Sequence, residues 1–380
     1  MAFRLSDFQP SFLSVFLTCR LAVFPTFCLS DFPSPYFRHM IYRSKAPLRI
    51  GLAGGGTDVS PYADEFGGAI LNATINLYAY ASIEPIEENG IIFHSYDQKK
   101  ELRYIWTNQL PIDGTLDLLK GVYNCIQRDY ALPLSGFRLS TFTDAPAGSG
   151  LGTSSTLVVA VIGAFAEMLK LPLGDYDIAH YAYEIERNYL GLAGGRQDQY
   201  AATFGGVNFM EFSERDKVIV NPLRIRKEYL HELEHNMVLY FTNTSRQSAI
   251  IIKEQQQNVH DKNAISISAM HQLKEQARMM KEALLKGRLH EIGEILDFGF
   301  QQKQLMAANI SNPALDSIYQ TAKSAGASGG KISGAGGGGY FIFYCPDNNR
   351  YAVIEVLQKL GGQVRSFSFT THGLTTWTVT

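Results

Sequence analysis

Glu186 and Asp198 lie twelve residues apart in the run Glu186-Arg-Asn-Tyr-Leu-Gly-Leu-Ala-Gly-Gly-Arg-Gln-Asp198-Gln-Tyr, and each is a carboxylate in need of a partner. Ile178, Ala182, Ile185 and Tyr189 recur at helical spacing, which predicts a helix over 175–189 with one apolar face. Glu186 falls at the edge of that face. A carboxylate held there needs a cation: Mg2+ is one choice, a salt bridge to a nearby arginine the other. Asp198 follows Gly194-Gly195 and precedes a short helical stretch, so it reads equally as a helix cap or as a proton acceptor.

The stretch Asp144-Ala-Pro-Ala-Gly-Ser-Gly-Leu-Gly-Thr-Ser-Ser-Thr156 points to the reactant. Gly148, Gly150 and Gly152 alternate, Thr153, Ser154 and Ser155 follow, and a long apolar run continues to Leu169. Glycines let a backbone turn its N–H groups toward an anion, and a helix opening just afterwards aims its unpaired N–H groups at the same point. This is the composition of a phosphate cradle; the plainer alternative is a glycine-rich turn feeding a buried helix. No Gly-Lys-Ser/Thr ending is present, so the loop is not a Walker A motif.

Pro146-Ala-Gly-Ser-Gly150-Leu151-Gly-Thr-Ser154 resembles the second motif of the GHMP kinases (galactokinase, homoserine kinase, mevalonate kinase, phosphomevalonate kinase), with Thr153 in place of its first serine. Pro47-Leu-Arg-Ile-Gly-Leu-Ala-Gly-Gly-Gly-Thr-Asp58 resembles the first motif and Lys331-Ile-Ser-Gly-Ala-Gly-Gly-Gly-Gly339 the third, in the same order along the chain. The resemblance covers nearly everything from Met40 onward. It implies an α+β fold of two domains: an N-terminal one like domain 2 of ribosomal protein S5 over 40–220, and a ferredoxin-like one over 221–380. ATP and Mg2+ are the implied cofactors.

Residue by residue, the resemblance implies that Pro146 and the segment Gly148 to Ser155, Ser149 and Leu151 included, bind the nucleotide. Ser154 and Glu186 would hold Mg2+. Asp198 would be the catalytic carboxylate and Arg49 its partner at the transferring phosphate. Gly55, Gly56, Thr57 and Asp58 would line the sugar, Asp58 by accepting from its hydroxyls. Gly334 and Gly336 of the third motif join the substrate side. Lys331 serves a phosphate or the surface, and Arg196 and Arg246 are candidates for gripping an anionic substrate, because a guanidinium matches phosphate in a bidentate fork.

Galactokinases carry Gly-Glu-His-Thr-Asp in the first motif; here the Glu and His positions are Gly55 and Gly56, which argues against galactose. The same run through Tyr62, with Ala193-Gly-Gly-Arg-Gln-Asp-Gln-Tyr200, looks like bacterial heptose 7-phosphate kinases, which phosphorylate an anomeric oxygen. Fucokinase domains share much of this pattern. A sugar phosphate is therefore the expected substrate, and a homodimer is allowed.

Rival chemistries have weaker footing. Gly334-Ala-Gly-Gly-Gly-Gly339 matches a dinucleotide fingerprint but runs into the strand-like Tyr340-Phe-Ile-Phe-Tyr344 where that fingerprint needs a helix. His231-Glu-Leu-Glu-His235 matches a zinc hydrolase signature in a polar segment. A non-catalytic sugar sensor would have no use for both Glu186 and Asp198.

The elements that must position these groups read as mixed α and β. Strands are predicted over 50–53, 69–84, 207–212, 331–333, 340–344, 363–369 and 374–379. Helices are predicted over 153–169, 175–189, 264–286, 311–325 and 348–360. The charged segment 221–234 reads as the domain boundary. The 380 residues hold 46% hydrophobic and 18% charged side chains, which suits a globular enzyme with a sizeable core. A net charge of −2 without a lysine/arginine block implies neither nucleic acid nor an anionic membrane as partner. Cys19, Cys28, Cys125 and Cys345 lack metal spacing and fit a reducing cytoplasm. Residues 1–39, rich in Phe, Ser and Pro, are expected to be an over-extended start that packs poorly, with Met40 opening the kinase pattern.

Overall fold

The computed structural model describes residues 40–214, 216–244 and 248–380. The expectation for residues 1–39 lies outside that set. The first element of the described residues is β1 (Ile41–Ala53), nine residues longer at its start than the apolar pattern shows. Arg43 and Lys45 disguise it: they point outward while Tyr42 and Ser44 are buried. After α1 (Tyr62–Phe66) comes β2 (Gly68–Pro85), then β3 (Gly90–Ser95), β4 (Lys100–Tyr104), α2 (Asp117–Tyr130) and β5 (Gly136–Thr143). The predicted helix α3 (Thr153–Leu169) follows the glycine loop. The helix predicted over 175–189 is α4 (Asp175–Glu184) running into a π turn, Ile185–Tyr189. Next come α5 (Gln197–Phe204), β6 (Val207–Phe212) and β7 (Val218–Pro222).

The long β2 organises the first sheet. Its opening half pairs with β6 and its closing half with β5, while β1 runs antiparallel along its other side. Helix α3, apolar nearly all round, packs on β1 and β2 and is buried over most of its length, which is what such a helix requires.

The rest of the chain runs α6 (Lys227–Asn236), β8 (Met237–Phe241), α7 (Ser248–His260), α8 (Ala264–Lys286), α9 (Ile292–Gln304), α10 (Pro313–Ser324), β9 (Gly329–Ile332), β10 (Tyr340–Tyr344), α11 (Arg350–Gln358) and β11 (Gln363–Arg365). The second sheet has the order β11-β8-β10-β9, all antiparallel. Renumbered within itself, that is 4-1-3-2, the ferredoxin-like arrangement. Asn263 and Asn312 cap α8 and α10, each accepting two backbone N–H groups.

Two features cross the expected division at 221. The final strand β12 (Thr375–Val379) returns to the first sheet and pairs with β1, and the predicted strand 363–369 is only β11 followed by a single bridge from Phe369 to Ile75. One apolar cluster also joins Leu48, Ile50 and Leu71 of the first sheet to Ala277, Met280, Leu239 and Ile342 of the second half. Among the described residues no helix is long and apolar enough to cross a membrane.

The returning tail is seated tightly. A Cβ on Gly373 would stand 1.9 Å from the carbonyl oxygen of Thr203, and Leu374 N–H donates to that same oxygen at 3.0 Å. Gly373→Ala therefore forces the tail off α5 and is expected to cost about 1–3 kcal/mol, seen as a lower Tm and faster amide exchange along β1 and β12.

Candidate active site

The glycine loop and the third motif meet backbone to backbone. A Cβ on Gly150 would lie 2.5 Å from the Ser333 carbonyl oxygen, and one on Gly334 would lie 2.7 Å from Cα of Gly150. Gly150 and Gly152 also hold φ of 85° and 78°, which excludes ordinary side chains twice over. Tyr340 N–H donates to the Ser149 carbonyl at 2.9 Å, and the Ser333 hydroxyl donates to that of Gly150 at 2.7 Å. Helix α3 starts straight out of this contact with no side-chain cap, and its first residues, Thr153 to Ser155, line an open cleft of about 280 Å3. Such a helix end favours an anion.

Arg49 comes from β1 and is buried, yet its side chain lines the cleft. Its Nε and Nη2 both reach Oδ1 of Asp198, at 2.8 and 2.6 Å, and its Nη1 donates to the Gly150 carbonyl at 2.6 Å. Asp198 sits in the first turn of α5 and is part exposed to the cleft. It does not cap its own helix. Asp58 does that from a distance, its Oδ2 accepting the N–H groups of Arg196 at 2.9 Å and Gln197 at 3.0 Å. Burial raises the Asp58 carboxyl above the ordinary range, with the N–H of Gln197 opposing the shift.

Glu186 lies on the π turn, whose extra residue gives the i to i+5 bond from Leu190 N–H to the Ile185 carbonyl at 3.0 Å. It is buried but lines the cleft. Gln199 Nε2 donates to its Oε2 and also, at 3.1 Å, to the Ser155 hydroxyl, while Arg187 Nη1 stands 3.7 Å from its Oε1. Of the two partners read from the sequence, the arginine is present, but at 3.7 Å it leaves the carboxylate room for another. With the Ser154 hydroxyl on the same cleft wall, the donors are all oxygen, and Gln199 Oε1 is buried without a partner. A hard divalent cation suits that set.

Of the other residues singled out by sequence, Gly56, Gly148, Thr153 and Gly334 line the cleft with Asp58. Several do not. Leu151 is in the shared core, Pro146 lies outside the lining, and Ser149 bonds Thr153 within the loop. The Thr57 hydroxyl is tied to the carbonyls of Gly54 and Ala69, which shapes the turn. Gly336 packs on Ile310. Arg196 does not reach the cleft: its guanidinium is buried between Asp64 at 2.6 Å and Asp216 at 2.8 Å, and two carboxylates hold it there. Lys331 is neither at the surface nor on the lining; it is buried behind Gly55 and donates to the Gly51 carbonyl at 2.8 Å. Arg246 lies outside the described residues.

Sequence reasoning missed Lys303 and Gln255, both of which line the cleft. Lys303 occupies the buried stripe Ile292, Ile295, Leu296, Gly299, Phe300 of α9, and Gln255 the stripe Ile251, Val259 of α7. A polar residue on an apolar stripe at helical spacing was the available signal. Burial, then the charge of Arg49, pushes the Lys303 ammonium down to about 8, with Asp58 opposing. Lys331 is held well below its ordinary value, first by burial and then by Lys303 and Arg49.

An uncapped helix beside a glycine loop, facing a carboxylate gripped by an arginine, is an arrangement that suits phosphoryl transfer. Family profiles agree: the GHMP kinases N terminal domain matches residues 117–206 and the GHMP kinases C terminal domain residues 280–363. The D-glycero-alpha-D-manno-heptose 7-phosphate kinase of Campylobacter jejuni is 47% identical over 89% of this chain and 99% of its own. A crystal structure of a D-glycero-D-manno-heptose 1-phosphate kinase from Bacteroides thetaiotaomicron superposes with a TM-score of 0.75 at 47% identity, over 89% and 99% of the two chains. The L-fucokinase/L-fucose-1-P guanylyltransferase of Bacteroides fragilis is 26% identical over 82% of this chain but only 35% of its own. The chain belongs to the GHMP kinases, and it is an ATP-dependent kinase with an alcohol acceptor, of the sugar-kinase type.

Two tests follow from the geometry. Arg196→Met leaves Asp64 and Asp216 without their shared cation, so Tm falls while KM for the sugar stays within about twofold. For Lys303, the folded chain binds fewer protons than the unfolded one between about pH 8 and 10.5, so burying its charge destabilises most below pH 8 and less as pH rises through that window. Lys303→Met should therefore melt above the wild type, by a margin that shrinks from pH 7 toward pH 10.

Proposed function

We propose that the protein transfers the terminal phosphoryl group of ATP to the anomeric C1 hydroxyl of D-glycero-D-manno-heptose 7-phosphate, on the way to nucleotide-activated heptose. The observation that carries this reading is the Arg49–Asp198 pair beside the open start of α3: it sets an acceptor carboxylate against an anion seat. Asp198 Oδ1 is taken by the guanidinium. In this reading Oδ2 orients the sugar hydroxyl and accepts its proton as the new P–O bond forms and the bond from the terminal phosphorus to the β-phosphate oxygen breaks, releasing ADP. Arg49 holds that carboxylate in place through its two bonds to Oδ1, and adds positive charge where the transferring group passes. The loop from Gly148 to Ser155 receives the nucleotide phosphates through backbone N–H groups and hydroxyls. Ser154 and Glu186 would hold Mg2+, which when bound neutralises phosphate charge and orients the nucleotide.

The choice of sugar rests on the two relatives at 47% identity, both named for a monophosphate of the same heptose. They differ in which end already bears phosphate, so position is part of the test. The glycines at 55 and 56 leave the sugar side of the cleft without the two side chains that galactokinases place there.

The assay is ATP consumption against D-glycero-D-manno-heptose 7-phosphate, the corresponding 1-phosphate, L-fucose and galactose, with NMR assignment of the product. Turnover on the 7-phosphate, giving a C1 phosphate, is expected, and Asp198→Asn should lower kcat by about 10²–10⁴-fold. Turnover on the 1-phosphate alone would move the acceptor to C7, and turnover on fucose alone would replace the substrate.

A further inference from the structure

Beside Asp58 and Asp198 the site holds three buried cations. Arg49 is paired with Asp198, but Lys303 and Lys331 form no ion pair with a carboxylate among the described residues. Among the described residues each bonds only a backbone carbonyl, Lys303 that of Gly334 and Lys331 that of Gly51. Asp58, whose charge is felt by Lys303, has Oδ2 occupied by the N–H groups of α5 and Oδ1 facing Nε2 of Gln197 at 3.5 Å. A buried ammonium without a counter-ion is costly unless a ligand supplies one.

A second, independent observation lies across the Gly55-Gly56 turn. Gln255 is 2% exposed, lines the cleft, and its Nε2 has no hydrogen-bond partner. Its Oε1 stands 3.7 Å from where a Cβ on Gly56 would be, and the Lys303 and Lys331 ammoniums each stand 3.8 Å from where one on Gly55 would be. The turn, where Met306 also packs on Gly56, thus has two uncompensated ammoniums beside Gly55 and the Gln255 side chain, with its unused N–H donor, beside Gly56. Two ammoniums that can only donate, together with an unpartnered amide N–H, match a dianionic phosphate.

We infer that Lys303 and Gln255, backed by Lys331 across the Gly55-Gly56 turn, form a phosphate-binding subsite on the wall of the cleft built by α7 and α9. The subsite rests on the sugar-kinase reading of the cleft. Its ligand is a phosphate group, supplied by the sugar substrate or by the end of the nucleotide. The cradle at the start of α3 already serves nucleotide phosphates in that reading, so the two sources predict different kinetics.

The test uses the full chain, Lys303→Met, Gln255→Leu and Gly55→Asp, the last leaving both lysines in place while giving them a carboxylate in cis. Steady-state constants are measured for D-glycero-D-manno-heptose 7-phosphate, the unphosphorylated heptose and ATP, with inorganic phosphate as a competing probe. Loss of one charge-assisted bond should raise KM for the sugar phosphate about 10–100-fold in Lys303→Met. If KM for the unphosphorylated heptose and for ATP stay within about twofold, the sugar's phosphate is the ligand. If instead the ATP constants worsen equally with either sugar, the ligand is the nucleotide's terminal phosphate. Constants unchanged in all three variants, with inorganic phosphate inhibiting them as it does the wild type, would overturn the subsite. A wild type that turns over neither heptose but binds inorganic phosphate through Lys303 would leave the subsite standing and remove only the proposed substrate.

Discussion

Arg49 has all three of its guanidinium nitrogens in use, and the rest of the site is arranged around where they go. Nε and Nη2 converge on one oxygen of Asp198, and Nη1 takes the carbonyl of Gly150. One rigid side chain thus ties β1, the start of α5 and the glycine loop at fixed separations. A guanidinium suits this better than an ammonium, because its fork fixes direction as well as charge. The backbone N–H of Arg49 adds a further tie, donating to the Leu151 carbonyl at 3.1 Å. The loop that must stay open to an anion is therefore held from its outer side.

That arrangement requires glycine wherever backbone meets backbone. The carbonyl of Gly150 receives both Arg49 and the Ser333 hydroxyl, so the loops of the second and third motifs close on one acceptor. At Gly195, a Cβ would fall 1.9 Å from Oδ2 of Asp58, the oxygen that caps α5. The helix that carries Asp198 is thus anchored by a buried carboxylate that only a bare backbone can approach. Asp58, read from sequence as a sugar ligand, does this anchoring work in the structure: Oδ2 caps α5, and Oδ1 stands 3.5 Å from Nε2 of Gln197.

The sequence exposed the pieces held by local rules and hid those held by tertiary contact. The helices at 153–169 and 264–286 and the strands at 207–212 and 340–344 were legible because apolar spacing and glycine punctuation agree there. Arg49, Asp198 and Glu186 were legible through motif resemblance. Arg196 misled because an arginine near a glycine turn looks the same whether it faces an anion or two carboxylates; only the positions of Asp64 and Asp216 decide. Strand β1 was cut short because Arg43 and Lys45 broke its apolar run, and β12 gave no sign of its partner, 330 residues away along the chain. Lys303 and Gln255 sit in no motif. Their signal was the wrong polarity on a buried stripe, which becomes meaningful once the stripe is known to face a cleft.

Holding uncompensated charge inside a protein sets two halves against each other unless something stronger joins them. Here the joining element is the apolar cluster that passes from β1 and β2 through α8 to the second sheet, directly behind the first and third motifs. Fully buried side chains of this type contribute about 1.5–3 kcal/mol each, so a handful of them outweighs the desolvation of one ammonium shifted by a few units. The tail that crosses from the second half to pair β12 with β1 adds a further tie. A cleft between two freely hinged halves would open to relieve the repulsion among Arg49, Lys303 and Lys331. A cleft stitched by a common core cannot open so readily, and the repulsion is instead available to attract an anion. The shared core and the crossing tail thus offset the cost of keeping Lys303 and Lys331 buried without a carboxylate partner.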